Sequence, residues 1–190
     1  MADTSVAPVA RGATFFDGST PDAAGALHLE GLVHSFPDTD PDDQVKRRSG
    51  GNVVCILVRN KHSAAVTPGQ VITWSTTRPH KTTGGPAGGA VGATLCAGVV
   101  DDHLPAAGAA VDDLYWLIVR GRAKIECQAS IGHNDYVFSS GATEAGRAGK
   151  ILAGSVTLIT ALNQIGTGSD TITTTGDKGV IIVNMRIGPA

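Results

Sequence analysis

The side chains best placed to do chemistry are Asp101, Asp102 and His103, two carboxylates and an imidazole in consecutive positions. Oxygen and nitrogen donors of this kind ligate divalent cations when they converge. An ordinary turn accounts for the same residues, because Asp side chains bond their own backbone in turns, and no metal is expected. The remaining histidines (His28, His34, His62, His80 and His133) stand singly, without the spacings of zinc proteases or cupins. Gly146-Arg147-Ala148-Gly149-Lys150 has the outline of a phosphate loop. A Walker loop also needs a glycine five residues before the Gly-Lys pair and a hydroxyl after it. Glu144 and Ile151 occupy those positions, so the match fails. The glycines from Gly84 to Gly92 show no Gly-x-Gly-x-x-Gly placed between strand and helix. Cys55, Cys96 and Cys127 form no Cys-x-x-Cys pair, and each lies in an apolar or alternating run where a thiol is buried and inert. Their odd number fits synthesis in a reducing compartment. No Gly-x-Ser-x-Gly nucleophile elbow occurs. The expectation is a chain that is not an enzyme and needs no cofactor.

Composition narrows the partners. A net charge of -2 lacks the dense basic face that phosphate-driven nucleic-acid binding requires. Aromatic residues at 4% are too sparse for a base- or sugar-stacking platform. Hydrophobic residues at 42% suffice for a core, while 17% charged residues and 25 glycines suggest a surface that partly faces protein. Met1 to Phe16 lacks the basic start and apolar run of a secretory signal. No stretch approaches the ~20 apolar residues that span a bilayer. A soluble protein made in the cytoplasm, with neither nucleic acid nor membrane as partner, is expected.

The elements that must carry these residues read as strands. Residues 1–26 form an expected extended arm, rich in Ala, Gly, Thr, Asp and Pro, with Phe15-Phe16 as its bulky pair. It is either a flexible tail or an arm packed on a neighbouring subunit. Residues 27–190 form the domain. Leu27 and Leu29 alternate with His28 and Glu30 as a half-buried strand. Residues 36–50 read as a solvated polar loop with an acidic half, including Asp38 and Asp40, and a basic half, Arg47 and Arg48. Val53–Val58 is apolar on both faces, as in a strand covered on both sides. Pro68-Gly69 suits a tight turn before Val71–Trp74, and 78–93 reads as a mobile glycine loop. Ala97–Val100, a turn at Pro105–Gly108 and a strand from Leu114 follow. Beyond Arg120, Arg122, Lys124 and Glu126 point one way while Ala123, Ile125 and Cys127 point the other. Asp135–Ser140, Val156–Thr160, Thr171–Thr175 and Val180–Ile187 complete the strands, and only Ala142–Ala153 has room for a helical turn or two. Trp74 and Trp116 lie in apolar runs and are expected in the core. Turn signals at this spacing predict an all-β fold, a β-sandwich or jelly-roll-like β-barrel.

One cassette carries a family resemblance. A strand ends in Ala97-Gly98-Val99, and a loop closes on Ala107-Gly108. A second strand ends in Val119-Arg120-Gly121, followed by an Ala-containing alternating strand and a Gly146-Arg147-Ala148 turn. This pattern, from Pro68 to Ile187 with gaps, resembles the bacteriophage capsid decoration (cement) proteins, in composition and topology more than in strict motif. The resemblance implies a structural virion protein at the capsid surface, a homotrimer clamping several subunits of the major capsid protein against internal pressure. Contacts are expected from the termini and loops: Phe15 and Phe16 in the arm, Asp38, Asp40, Arg47 and Arg48 in the polar loop, and Arg122 with Lys124 on the charged strand face. Two alternatives stand beside it. A β-sandwich also fits a carbohydrate- or cell-surface-binding module of a head or tail fibre. Gly98-Val99-Val100-Asp101 is similar to the uridine-binding turn of trimeric deoxyuridine triphosphatases. Here His103 and Leu104 replace the aromatic that follows in that family, and its arginine-serine phosphate motif and C-terminal flap find no counterpart.

Overall fold

The computed structural model describes residues 11–12, 14, 30–43, 45–77, 81–87, 95–139, 145–150 and 164–185. Its elements are β1 (Val33–Thr39), β2 (Arg47–Asn60), β3 (Val71–Trp74), β4 (Thr82–Pro86), β5 (Cys96–Val100), β6 (Leu114–Glu126), β7 (Tyr136–Ser139), β8 (Ala148–Lys150), β9 (Gln164–Gly168) and β10 (Lys178–Asn184). The protein is all-β: no described residue is helical, and the strands join one sheet in the order β1-β2-β4-β3-β5-β6-β10-β9-β7-β8. A further pairing of β2 with β6 closes β2, β4, β3, β5 and β6 into a circuit. Such closure removes edges that would otherwise recruit other chains.

The two long strands explain why this sequence folds so. β2 and β6 pair antiparallel from Val54↔Arg120 to Arg59↔Leu114, and their apolar runs have a core on each side. Val53, Cys55 and Leu57 join Leu114, Trp116 and Ile118 in the larger cluster, while Ile56 and Val58 join Tyr115, Leu117 and Val119 in the smaller. The strand residues of the smaller cluster all come from β2, β3, β5 and β6, so it fills the circuit. The larger lies on the opposite face and ties the circuit to β10, β9, β7 and β8. Trp116 is fully buried there and meets Phe36 edge-on, 5.1 Å between ring centres, which fastens β1 to the body. Trp74 is also buried, and so are all three cysteines, as free thiols.

Several elements differ from expectation. Part of the glycine loop is strand: Thr82–Pro86 pairs with β2 in parallel and with β3, completing the circuit. Its glycines answer to close approach rather than mobility, since a Cβ on Gly85 would meet the His62 ring at 2.8 Å. The polar loop shrinks to a turn at 40–46, because β1 runs to Thr39 and β2 begins at Arg47. Glu30 does not face solvent from a strand. It sits in a turn, buried, with Oε1 accepting from Arg59 Nε at 2.7 Å. Within Ala142–Ala153, the described residues 145–150 form a turn and β8. Thr171–Thr175 is no strand; only Ile172 bridges, to Ile131, and the strand of this region is β9. Val156–Thr160, Phe15 and Phe16 lie outside the described residues.

Candidate functional site

Five parts of the chain converge on one buried charged corner. The end of β1 supplies Asp38 and Thr39, the start of β2 supplies Arg48 and Ser49, and the turn after β5 supplies Asp101, Asp102 and His103. Lys124 of β6 contributes its backbone N–H, and Arg11 with Gly12 comes from the segment expected to be an arm. The turn forms as an aspartate turn does: the N–H of His103 donates to Asp101 Oδ1 at 3.2 Å and that of Leu104 to the Asp101 carbonyl at 3.2 Å.

The carboxylates are saturated. Asp101 Oδ1 accepts from Arg11 Nε at 3.1 Å and Nη2 at 2.8 Å, and its Oδ2 accepts the Gly12 N–H at 3.1 Å. Asp102 Oδ1 accepts from Arg11 Nη2 at 2.6 Å and meets His103 Nδ1 at 2.9 Å. Its Oδ2 accepts from Arg48 Nη1 at 2.7 Å and from the Lys124 N–H at 2.8 Å. Arg48 continues the chain, donating Nε to Asp38 Oδ1 at 2.8 Å and Nη2 to the Arg122 carbonyl at 3.0 Å. Ser49 Oγ donates to Asp38 Oδ2 at 2.6 Å, and Thr39 Oγ1 meets His103 Nε2 at 3.0 Å. Three carboxylates thus face two guanidiniums, and a protonated His103 brings the sum to zero.

Burial works against the charged forms of Asp102 and His103, and their neighbours overcome it. For Asp102, burial alone would raise the pKa, but the His103 hydrogen bond and the Arg11 and Arg48 charges hold it well below the usual carboxylate range. For His103, burial would lower it, but hydrogen bonds to Asp101 and Asp102 carry it above its ordinary value. Ligand atoms of Asp101, Asp102 and His103 do lie within 4.8 Å of one another. The oxygens that a cation would need already hold guanidinium and backbone N–H groups, so the arrangement suits an ion-pair keystone and not a metal centre.

A second region has the opposite character. On the sheet face turned away from the larger core, Tyr136 of β7, Thr167 of β9, Ile182 of β10 and Arg122 of β6 stand side by side in register. Tyr136 is 62% exposed and Ile182 42%. Arg120 and Asn184 extend the row, both exposed. Among the described residues neither Arg120 nor Arg122 has a carboxylate partner.

The residues expected to touch a partner divide between these regions. Asp38, only 1% exposed, and Arg48 are spent inside the corner, which corrects their assignment to a solvated loop. Asp40 caps the hairpin turn, accepting the Asp42 N–H at 3.0 Å. Arg47 alone of that loop's arginines is exposed, donating to the Gly51 carbonyl at 2.8 Å. Arg122 donates Nη1 to the Arg48 carbonyl at 3.2 Å, and Lys124 Nζ reaches Asp42 Oδ2 at 2.8 Å. The sequence pattern missed Arg11, which has no periodicity around it, and Tyr136, whose alternation with Val137 was available but was not read for its outward side.

Among the described residues, chemistry elsewhere is muted. Burial raises the Cys55 and Cys96 thiols, and pushes Cys127 up to about 11, against nucleophilic use. Two shallow depressions, about 400 and 270 Å³, flank Thr171–Thr173. The smaller holds the Asp135–Lys150 pair at 2.9 Å, and neither is lined by a nucleophile with a neighbouring base. Set against protein-family models and curated proteins, the chain matches none.

Proposed function

We propose that this chain is a capsid decoration protein that binds the outer surface of a phage head as a homotrimer and stabilises the lattice of the major capsid protein, without catalysis. The observation that carries this reading is the exposed row Tyr136–Thr167–Ile182–Arg122. An exposed aromatic and an exposed aliphatic side chain in one row, next to arginines that have no carboxylate partner among the described residues, is the anatomy of a protein–protein contact. The row lies across four hydrogen-bonded strands, so little side-chain and no loop ordering is lost on docking. The family resemblance of the Pro68–Ile187 cassette supplies the partner and the symmetry. A trimer bridging coat subunits would bury on the order of 1,600 Å² or more.

The alternatives draw less support. A sugar-binding module would use exposed Trp or Tyr; Trp74, Trp116 and Tyr115 are buried, and Tyr136 alone of the described Trp and Tyr residues is exposed, too little for a stacking platform. In the deoxyuridine triphosphatase reading Asp101 holds the sugar, yet its oxygens are taken by Arg11, Gly12 and His103. The test is the copy number of this chain in purified particles from its source, by quantitative mass spectrometry against the major coat protein. A fixed ratio near that of the coat is expected. Absence from particles overturns the proposal, and glycan retention by the soluble protein would replace it with the module.

A further inference from the structure

We propose that the Asp101–Asp102–His103 corner is a guanidinium-binding site that recognises an Arg-Gly unit, filled in this structure by Arg11 and Gly12. The inference is independent of the capsid reading.

Both positions of the dipeptide are specified. The Arg11 fork engages two carboxylates at once, Asp101 at 2.8 and 3.1 Å and Asp102 at 2.6 Å, a geometry that the point charge of lysine does not reproduce. The next N–H, that of Gly12, donates to the second oxygen of Asp101. A side chain has no room there: a Cβ on Gly12 would meet the His103 carbonyl oxygen at 2.4 Å, and its φ is +77°. One carboxylate therefore reads the side chain of the first residue and the backbone of the second.

The occupant is also separable from the site. Asp38, Arg48 and Lys124 reach the corner from strands, but Arg11 and Gly12 join no strand and reach it across 90 positions of sequence. The Arg11 side chain is 5% exposed, yet its Nη1 has no hydrogen-bond partner among the described residues. A guanidinium has five N–H donors, and the two on Nη1 are unmatched. Their desolvation subtracts from the gain of the seated fork. The shared ligand chemistry is an arginine followed by glycine, from this chain or from residues 11 and 12 of a second copy.

The experiment is chemical rescue of the full-length Arg11→Ala chain. With two carboxylates left short of a partner, its Tm falls by about 10 °C. Methylguanidinium restores about 4 °C when tenfold above its dissociation constant, while methylammonium at the same concentration restores none. A variant that melts like the parent, or that responds equally to both cations, overturns the proposal. Hydrogen exchange of the Arg11 Nε–H in the unaltered protein gives the second reading: slow exchange is expected, and exchange as fast as that of the exposed Arg120 overturns the proposal even if the variant does not fold. Mixing the Arg11→Ala chain with an Asp101→Asn chain identifies the source. Recovery of Tm in the mixture means that a second copy supplies the arginine. Rescue by methylguanidinium alone means that the same chain does.

Discussion

The buried corner and the exposed row both rest on β6 and both contain arginines, yet they spend their charge in opposite ways. In the corner, Asp38, Asp101 and Asp102 engage Arg11, Arg48 and the His103 ring at 2.6 to 3.1 Å, with every one of these side chains buried. On the row, Arg120 and Arg122 keep their charge for whatever approaches. A buried ion pair offsets its desolvation against its own counter-charges. A charge left at the surface stays hydrated and can steer an approaching partner. Local charge density in the sequence therefore does not identify a binding surface; the side of the sheet does.

The sharpest way to break this contrast is to treat adjacent arginines alike. Arg48→Ala removes the guanidinium shared by Asp38 and Asp102, leaving two buried carboxylates short of a partner. The expected loss is about 3–5 kcal/mol in urea unfolding. Arg47→Ala, one residue away but exposed, is expected to cost less than about 0.5 kcal/mol. Equal losses would mean that the corner is as wet as the hairpin tip.

That pair also marks what the sequence could and could not disclose. Val53–Val58, Val71–Trp74 and Leu114–Ile118 were readable because a strand covered on both faces must be apolar at every position. The phase of the charged strand was readable too, since Ala123, Ile125 and Cys127 are buried while Arg122, Lys124 and Glu126 are only partly so. Arg48 could not be told from Arg47, because the difference is which side of β2 meets a turn more than fifty residues later. β4 was hidden for a related reason. Its glycines carry no strand propensity, and only close approach explains their use, of Thr73 Oγ1 to Gly84 and of the His62 ring to Gly85. Arg11 was beyond reach altogether: a single arginine in a small-residue segment has no local signature for a contact with Asp101.

A smaller effect should appear in the pH dependence of stability. The corner carries one more carboxylate than guanidinium, and His103, in contact with Asp101, Asp102 and Thr39, supplies the missing positive charge when protonated. Its folded pKa is raised. That contribution is therefore full below the ordinary histidine value of about 6.5 and is lost as pH rises through the folded value. Asp102 is depressed, so its contribution is full above about 3.9 and lost as pH falls further. Corner stability should thus be greatest between about pH 4 and 6.5. His103→Gln should remove the decline on the alkaline side while leaving the acid limb. If variant and parent run parallel from pH 5 to 8, the imidazole carries no charge in the folded corner.

The least effect on stability, and the greatest on assembly, belongs to the row. Tyr136→Ser and Ile182→Ser trim side chains that stand outside both buried clusters, so each should change unfolding free energy by less than about 1 kcal/mol. If the row is the docking face, the same variants should lower the copy number of the chain in particles, Tyr136 more than Ile182, because an aromatic anchor carries a larger share of a contact than an aliphatic one. Arg120→Ala, at the rim, should slow association and weaken its salt dependence with little effect on residence once bound. Corner variants supply the control: compared at temperatures where each is folded, Arg48→Ala should decorate particles as the parent does. A corner variant that stays folded yet fails to decorate, beside row variants that decorate fully, would reverse the roles of the two regions and move the contact to the hairpin and the Arg11 segment.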